Sequence, residues 1–203
     1  MTASAAPTAR RPGRPATGAR ERLLDAGLET LLAEGYAGLS TAKVAARAGE
    51  NKALIAYHFG SKDGLVGAAA GALGERITEA VLAGVSGART PRGIVAGVLD
   101  AMGEILDADE RIARAYFDLN AVSVVTDEVR AALRQVKSRW REVLRGLLLD
   151  AGTSPKRVDA ATVLVIAGAE GLVLERLERG ETKELAAARR LFIDAAAGAI
   201  GTA

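Results

Sequence analysis

The sequence predicts an all-α protein: an N-terminal three-helix head containing a helix-turn-helix, then a C-terminal helical bundle, with about nine helices in total. Three observations carry that prediction. Apolar residues recur at steps of three and four, the period of one helix face. No alternating apolar–polar run of useful length is present, so nothing argues for a half-buried strand. Most periodic stretches open on a capping residue and close near a glycine.

Residues 1–16 are rich in Ala, Pro, Thr and Arg without apolar period and read as a disordered basic arm. Arg10, Arg11 and Arg14 meet no acid before Glu21. The arm is therefore either a solubilising tail or a segment suited to a narrow minor groove. From Thr17, a candidate cap, Leu23, Leu24, Leu28, Leu31 and Leu32 form the stripe of the first helix, and Gly35 supplies its stop. Ser40 can cap "TAKVAARA", which Gly49 ends, and "NKALIAYHF" follows up to Gly60. Two short helices joined by a glycine turn make a helix-turn-helix. Val44, Ala45, Ala48, Leu54, Ile55 and Phe59 are its candidate core.

Ser61 can cap the fourth helix, which carries Gly64, Gly67, Gly71 and Gly74 on one face. An interior glycine costs about 1 kcal/mol against alanine. Unless composition alone supplies them, the stripe predicts a closely packed neighbour or a helix soft enough to bend. Thr90-Pro91 opens the fifth helix, which runs to about Leu106, and the sixth starts near Asp109. The seventh runs from Thr126 to before Gly152. Ser154-Pro155 opens the eighth, which ends near Gly180, and Thr182 caps the ninth, which reaches about Ile200. The expected organisation is an arm over 1–16, a head over 17–65 and a body over 66–203.

The 203 residues suffice for a sizeable core, and with 49 % hydrophobic but only 3 % aromatic residues that core must be aliphatic. There are no cysteines, which removes disulfides, thiolate catalysis and Cys-ligated zinc. With a single histidine and no phosphate-binding glycine loop or nucleophile elbow, neither an enzyme, a metal site nor a cofactor is expected. The N-terminus lacks the apolar segment of a signal peptide, and the longest near-apolar run, Ala160 to Ala169, is too short to span a bilayer. A cytoplasmic location and no membrane partner are expected. The net charge of +2 hides an asymmetry: residues 1–62 hold nine Lys/Arg against five Asp/Glu, the remainder eighteen against twenty. A basic end on a mildly acidic body points that end at a polyanion.

The third helix has the composition of a major-groove reader, whose N-terminal residues reach base edges. Asn51 can read adenine, Lys52 can read guanine or grip phosphate, and Ala53 permits close approach and can touch a thymine methyl. Tyr57 can donate to a phosphate, Lys62 adds charge beside a helix N-terminus, and Thr41 faces the other side of the groove. His58 either serves a phosphate or packs against the first helix. Glu50 would repel phosphate unless it pairs or reads cytosine.

Residues 20–65 resemble the DNA-binding domain of the TetR family of transcriptional regulators, through "RERLLDAGLETLLAEGYAGLS", "VAARAG" and "LIAYHFGSKDGL". The resemblance implies DNA contacts at Thr41, Asn51, Lys52, Ala53, Tyr57, His58 and Lys62. It also implies double-stranded operator DNA, a small-molecule effector and a second copy of the chain as partners, and a repressor released from a palindromic operator. Ala56 stands where the family often has a tyrosine. An all-α protein-interaction module with a similar head is the alternative.

The body adds independent support. The eighth helix is apolar around most of its circumference from Val163 to Leu174, so it is buried on more than one side. Val163, Ala167, Gly168, Gly171 and Leu174, with Leu185 and Phe192 of the ninth helix, are the expected symmetric dimer interface. Met102, Tyr116, Phe117, Asn120, Ser123 and Trp140 are candidates to line an apolar pocket with a few polar groups. Glu170 is either a rim or interface-paired acid, or a pocket group that receives a ligand amine or hydroxyl. The basic stripe of the seventh helix, Arg130, Arg134, Lys137, Arg141 and Arg145, reads as a solvated face.

Overall fold

The computed structural model describes residues 18–200. Among them the chain forms nine helices and no strand: α1 (Ala19–Gly38), α2 (Thr41–Ala48), α3 (Ala53–Phe59), α4 (Lys62–Gly84), α5 (Pro91–Asp109), α6 (Arg111–Val122), α7 (Asp127–Asp150), α8 (Val158–Arg179) and α9 (Lys183–Ile200). The predicted arm and the Thr17 cap lie outside the described residues. None of the described helices is long and apolar enough to cross a membrane.

Local chemistry accounts for most boundaries. Gly35 (φ 68°) breaks the helical path of α1, and one further turn follows it to Gly38. The Ser40 hydroxyl accepts from the Lys43 N–H at 3.3 Å, and Gly49 (φ 66°) turns the chain out of α2. Ser61, Thr90 and Thr182 each accept a backbone N–H three residues on, capping α4, α5 and α9. One start is corrected: Ser154-Pro155 does not open α8. The Ser154 carbonyl accepts from the N–H groups of Arg157 and Val158, so a turn intervenes and the helix begins at Val158.

Two apolar clusters hold the fold. The first joins Leu23, Leu31, Val44 and Ile55 of the head to Leu65, Leu73, Tyr116, Leu119 and Val129. The second joins Val95, Leu99, Leu144, Val158, Val165 and Ile193. Helix α4 runs from one to the other and packs most extensively on α7. The expected head–body boundary at 65/66 lies inside this helix.

The glycine stripe makes those close packings possible. A Cβ at Gly64 would lie 2.0 Å from the Phe59 carbonyl oxygen, one at Gly74 2.6 Å from Val136 Cγ1, and one at Gly67 3.3 Å from Ala132 Cβ. Gly71 faces open space. Gly74→Ala should therefore destabilise the protein by about 1–3 kcal/mol through overpacking. Gly71→Ala should stabilise it by up to about 1 kcal/mol through helix propensity. Denaturant unfolding of the two variants checks the contrast; equal effects would remove the packing explanation.

The α7 stripe is not a plain solvated face. Arg130 donates to the Ser123 and Val124 carbonyls and so caps the end of α6. Arg145 pairs with Asp159 at 2.8 Å, and Lys137 turns toward Glu170 of α8.

Candidate functional site

The edge of α3 is bare and its base is locked. Asn51, Lys52, Ala53 and Tyr57 are exposed, Tyr57 at 81 %. Ile55, on the opposite face, is buried against α1 and α4 residues. Glu50, the acid that would repel phosphate, is neutralised from within: Arg22 of α1 donates through Nε at 2.7 Å and lies 2.6 Å away through Nη2. Asn51 Oδ1 accepts the Ala53 N–H at 2.8 Å, so this side chain also shapes the first turn of α3. Asn51 thus has a structural task beside the reading task assigned from sequence, because its oxygen satisfies an N–H that the helix cannot.

Thr41 and His58 are partly exposed. The His58 ring stands edge-on to Tyr57 at 4.9 Å and to Phe59 at 6.3 Å. Phe59 packs against the first core and carries the Arg20 guanidinium 5.4 Å over its ring. Lys62 departs most from expectation. Its ammonium donates to the Tyr36 carbonyl at 3.3 Å and lies 4.2 Å over the Tyr36 ring, so it is half-buried at the junction of head and body.

That junction was not legible in sequence. The Tyr36 N–H donates to Asp118 Oδ2 of α6 at 2.6 Å, and the Tyr36 hydroxyl donates to Asp63 Oδ1 of α4 at 2.9 Å. A Cβ at Gly35 would lie 2.9 Å from the same Asp118 oxygen. The only hint was an acid placed directly after the Tyr116-Phe117 pair.

A cavity of about 100 Å³ lies at the seam between the two apolar clusters. Ile77, Thr78 and Val81 of α4 form one wall, Met102, Tyr116 and Phe117 another, and Trp140, Ile166, Ala169 and Glu170 close it. Of the pocket residues expected from sequence, Met102, Tyr116, Phe117, Trp140 and Glu170 line it. Asn120 and Ser123 do not: each turns back on its own helix, Asn120 Nδ2 donating to the Tyr116 carbonyl at 2.8 Å and Ser123 Oγ to the Asn120 carbonyl at 2.7 Å. Each thus spends a donor on its own helix, and neither is among the lining residues. The α4 wall was missed because alanine and glycine around it hide the stripe.

The cavity's polar atoms are partnered among themselves. The Tyr116 hydroxyl donates to Glu170 Oε1, and Lys137 Nζ lies 3.2 Å from that oxygen. Burial, and then the Glu170 carboxylate, push the Tyr116 pKa well above its ordinary value, so the phenol keeps its proton. Trp140 Nε1 donates to the Thr78 hydroxyl at 3.0 Å, and that hydroxyl donates to the Gly74 carbonyl at 2.8 Å. Among the described residues no group of three His, Cys, Asp or Glu is placed to hold a metal.

Helices α8 and α9 present a third surface. Val163, Leu164, Ala167, Gly171 and Leu174 of α8 are exposed, as are Ala188, Leu191 and Ala195 of α9. Three expected interface residues, Gly168, Leu185 and Phe192, pack within the chain. Leu185 is 8 % exposed and buried within its own chain. The Phe192 ring covers Gly168, where a Cβ would fall 2.2 Å from the ring, so this pair joins α8 to α9 inside one protomer. Leu191 and Leu164 were missed, although a ninth helix apolar on two faces was the signal that could have found Leu191.

The family model for bacterial regulatory proteins of the tetR family matches residues 23–69. The HTH-type transcriptional regulator BetI 1 of Chromohalobacter salexigens is 27 % identical over 122 residues, 60 % of this chain. The match spans 60 % of that curated relative's length. A Rhodococcus sp. protein described as a TetR-family transcriptional regulator superposes with a TM-score of 0.74 at 23 % identity, over 91 % of this chain and 100 % of that one. The multidrug binding protein EbrR, solved with imidazole, superposes with a TM-score of 0.70 at 26 % identity over 92 % of both chains. The family match covers the head whose α3 stands bare, and the whole-chain likeness extends over the body. Residues 23–69 therefore match the model for the tetR family of bacterial regulatory proteins, and the whole chain shares the fold of the compared regulator structure.

Proposed function

We propose that this protein is a homodimeric, sequence-specific DNA-binding repressor, released from a palindromic operator by a small molecule in the α4–α8 cavity. The head, residues 17–65, reads the operator, and the body, residues 66–203, senses and dimerises. The observation that carries this reading is the contrast on α3: its inner face is packed and Glu50 neutralised, while Asn51, Lys52, Ala53 and Tyr57 stand open. Neutralising Glu50 leaves Lys52 and the helix N-terminus to set the sign of the surface facing phosphate. A dimer through α8 and α9 would present two such helices to successive major grooves, about 34–36 Å apart. The exposed apolar residues on those helices support that contact, and the largely apolar seam cavity supports an effector.

The test is duplex selection from random DNA, followed by mobility shifts at several salt concentrations. A preferred, two-fold symmetric site with salt-dependent affinity is expected. Asn51→Asp separates reading from capping, because aspartate caps as well as asparagine but offers no amide donor. The selected site should lose about 1–3 kcal/mol of affinity while helix content and melting stay at the parent level. Binding to all duplexes alike, in parent and variant, would sink the reading role.

A further inference from the structure

We infer that the cavity's ligand is a small hydrophobic amine, and that Lys137 is a tethered stand-in for its ammonium group. The inference rests on reading the cavity as the effector site and names what would enter it. Glu170 is the one carboxylate in the lining. Lys137 Nζ lies 3.2 Å from its Oε1 and 5.6 Å from the centre of the Tyr116 ring. A carboxylate on one side and an aromatic face on the other are the two features that hold a cation in an apolar site. Tyr116 also packs against Phe117 and Trp140, with ring centres 5.4 and 5.3 Å apart. Trp140 has given its only donor to Thr78, so it offers the cavity a ring rather than a hydrogen bond. The rest of the lining is aliphatic apart from Thr78, whose hydroxyl is already spent on Gly74.

The alternatives fare worse on the same groups. An anionic ligand would share a low-dielectric space with Glu170, which the Tyr116 hydroxyl holds in place. A neutral alcohol could donate one hydrogen bond to the carboxylate but brings no charge to replace that of Lys137. A protonated amine can exchange with Lys137 at constant net charge. Lys137 can leave cheaply: it lies on the outer stripe of α7 between the exposed Arg134 and Arg141, and its long stem reaches water. Size agrees with a compact ligand. An apolar cavity of roughly 150 Å³ takes benzene, and this one measures about 100 Å³.

Trp140 is the only tryptophan in the chain and lines the cavity, so its emission reports occupancy without any DNA. The probes are 2-phenylethylamine, 2-phenylethanol and 3-phenylpropionate, which share a ring and differ in head group. The amine should bind about tenfold tighter than either other probe, the scale of an added charge-assisted contact. Lys137→Met removes the competitor and should tighten the amine by about threefold while leaving the alcohol unchanged. Glu170→Gln should erase the preference for the amine. The proposal is overturned if the alcohol or the carboxylate matches the amine, if the amine gives no saturable response, or if Lys137→Met weakens it. Lys137→Met keeps the test open should Glu170→Gln fold poorly. If the amine saturates the cavity as expected but leaves duplex binding untouched, the amine site stands and the effector role falls.

Discussion

Leu191→Glu is expected to turn the protein into monomers and to remove operator binding at concentrations where the parent saturates. Leu191 is 70 % exposed on α9, and Val163 of α8 is 56 % exposed. On the same two helices Ala167, Gly171, Ala188 and Ala195 are exposed and small, so a second pair of helices could approach closely. The proposed contact is isologous, so each substitution strikes twice. Losing a fully buried leucine forfeits about 1.5–3 kcal/mol per copy, and a carboxylate left unpaired in the contact costs more. Leu185→Ala is the control. That side chain is buried within its own chain, so it should lower stability by about 2–5 kcal/mol without changing the oligomeric state. Sedimentation velocity beside a mobility shift reads both. A Leu191→Glu variant that stays dimeric would move the proposed interface off this face.

Asp118→Ala is expected to uncouple the head from the body. Asp118 accepts the Tyr36 N–H at 2.6 Å, and the two residues before it, Tyr116 and Phe117, line the cavity. Successive helical residues point about 100° apart, so α6 can face the cavity on one side and the α1 turn on the other. Removing the carboxylate strands a part-buried N–H and should cost about 2 kcal/mol, a fall in melting temperature of about 4–8 °C for a chain of this size. Duplex affinity should fall by about tenfold, but the salt slope should not change, because no phosphate contact is removed. Asp118→Asn keeps an acceptor oxygen and should restore most of both losses. A changed salt slope would mean that Asp118 acts on DNA rather than on the head's orientation.

Lys62 shows what position in the chain does not convey. Read as a string, it is a cation at the start of a helix beside a DNA-reading element. Folded, its ammonium is over the Tyr36 ring and on the Tyr36 carbonyl. Asn51 shows the converse: its place at the start of α3 was legible, but its bond to the Ala53 N–H was not. In the pocket set, the aromatic residues and Glu170 stood out because they interrupt an aliphatic sequence. Asn120 and Ser123 stood out for the same reason, yet each donates to a backbone carbonyl of α6 and stays out of the lining.

The amino-acid sequence by itself determined the helical class, the nine segments and the helix-turn-helix. Those depend on periodicity, caps and glycine stops, which act over a few neighbouring residues. Only the tertiary structure decided that Arg22 silences Glu50, that Asp118 holds Tyr36, that Lys137 sits on Glu170, and that Leu191 rather than Leu185 faces outward. Each of those turns on side chains brought together from distant helices, or on which of two apolar faces of a helix its neighbours cover. Packing settles both, and local periodicity carries no record of it.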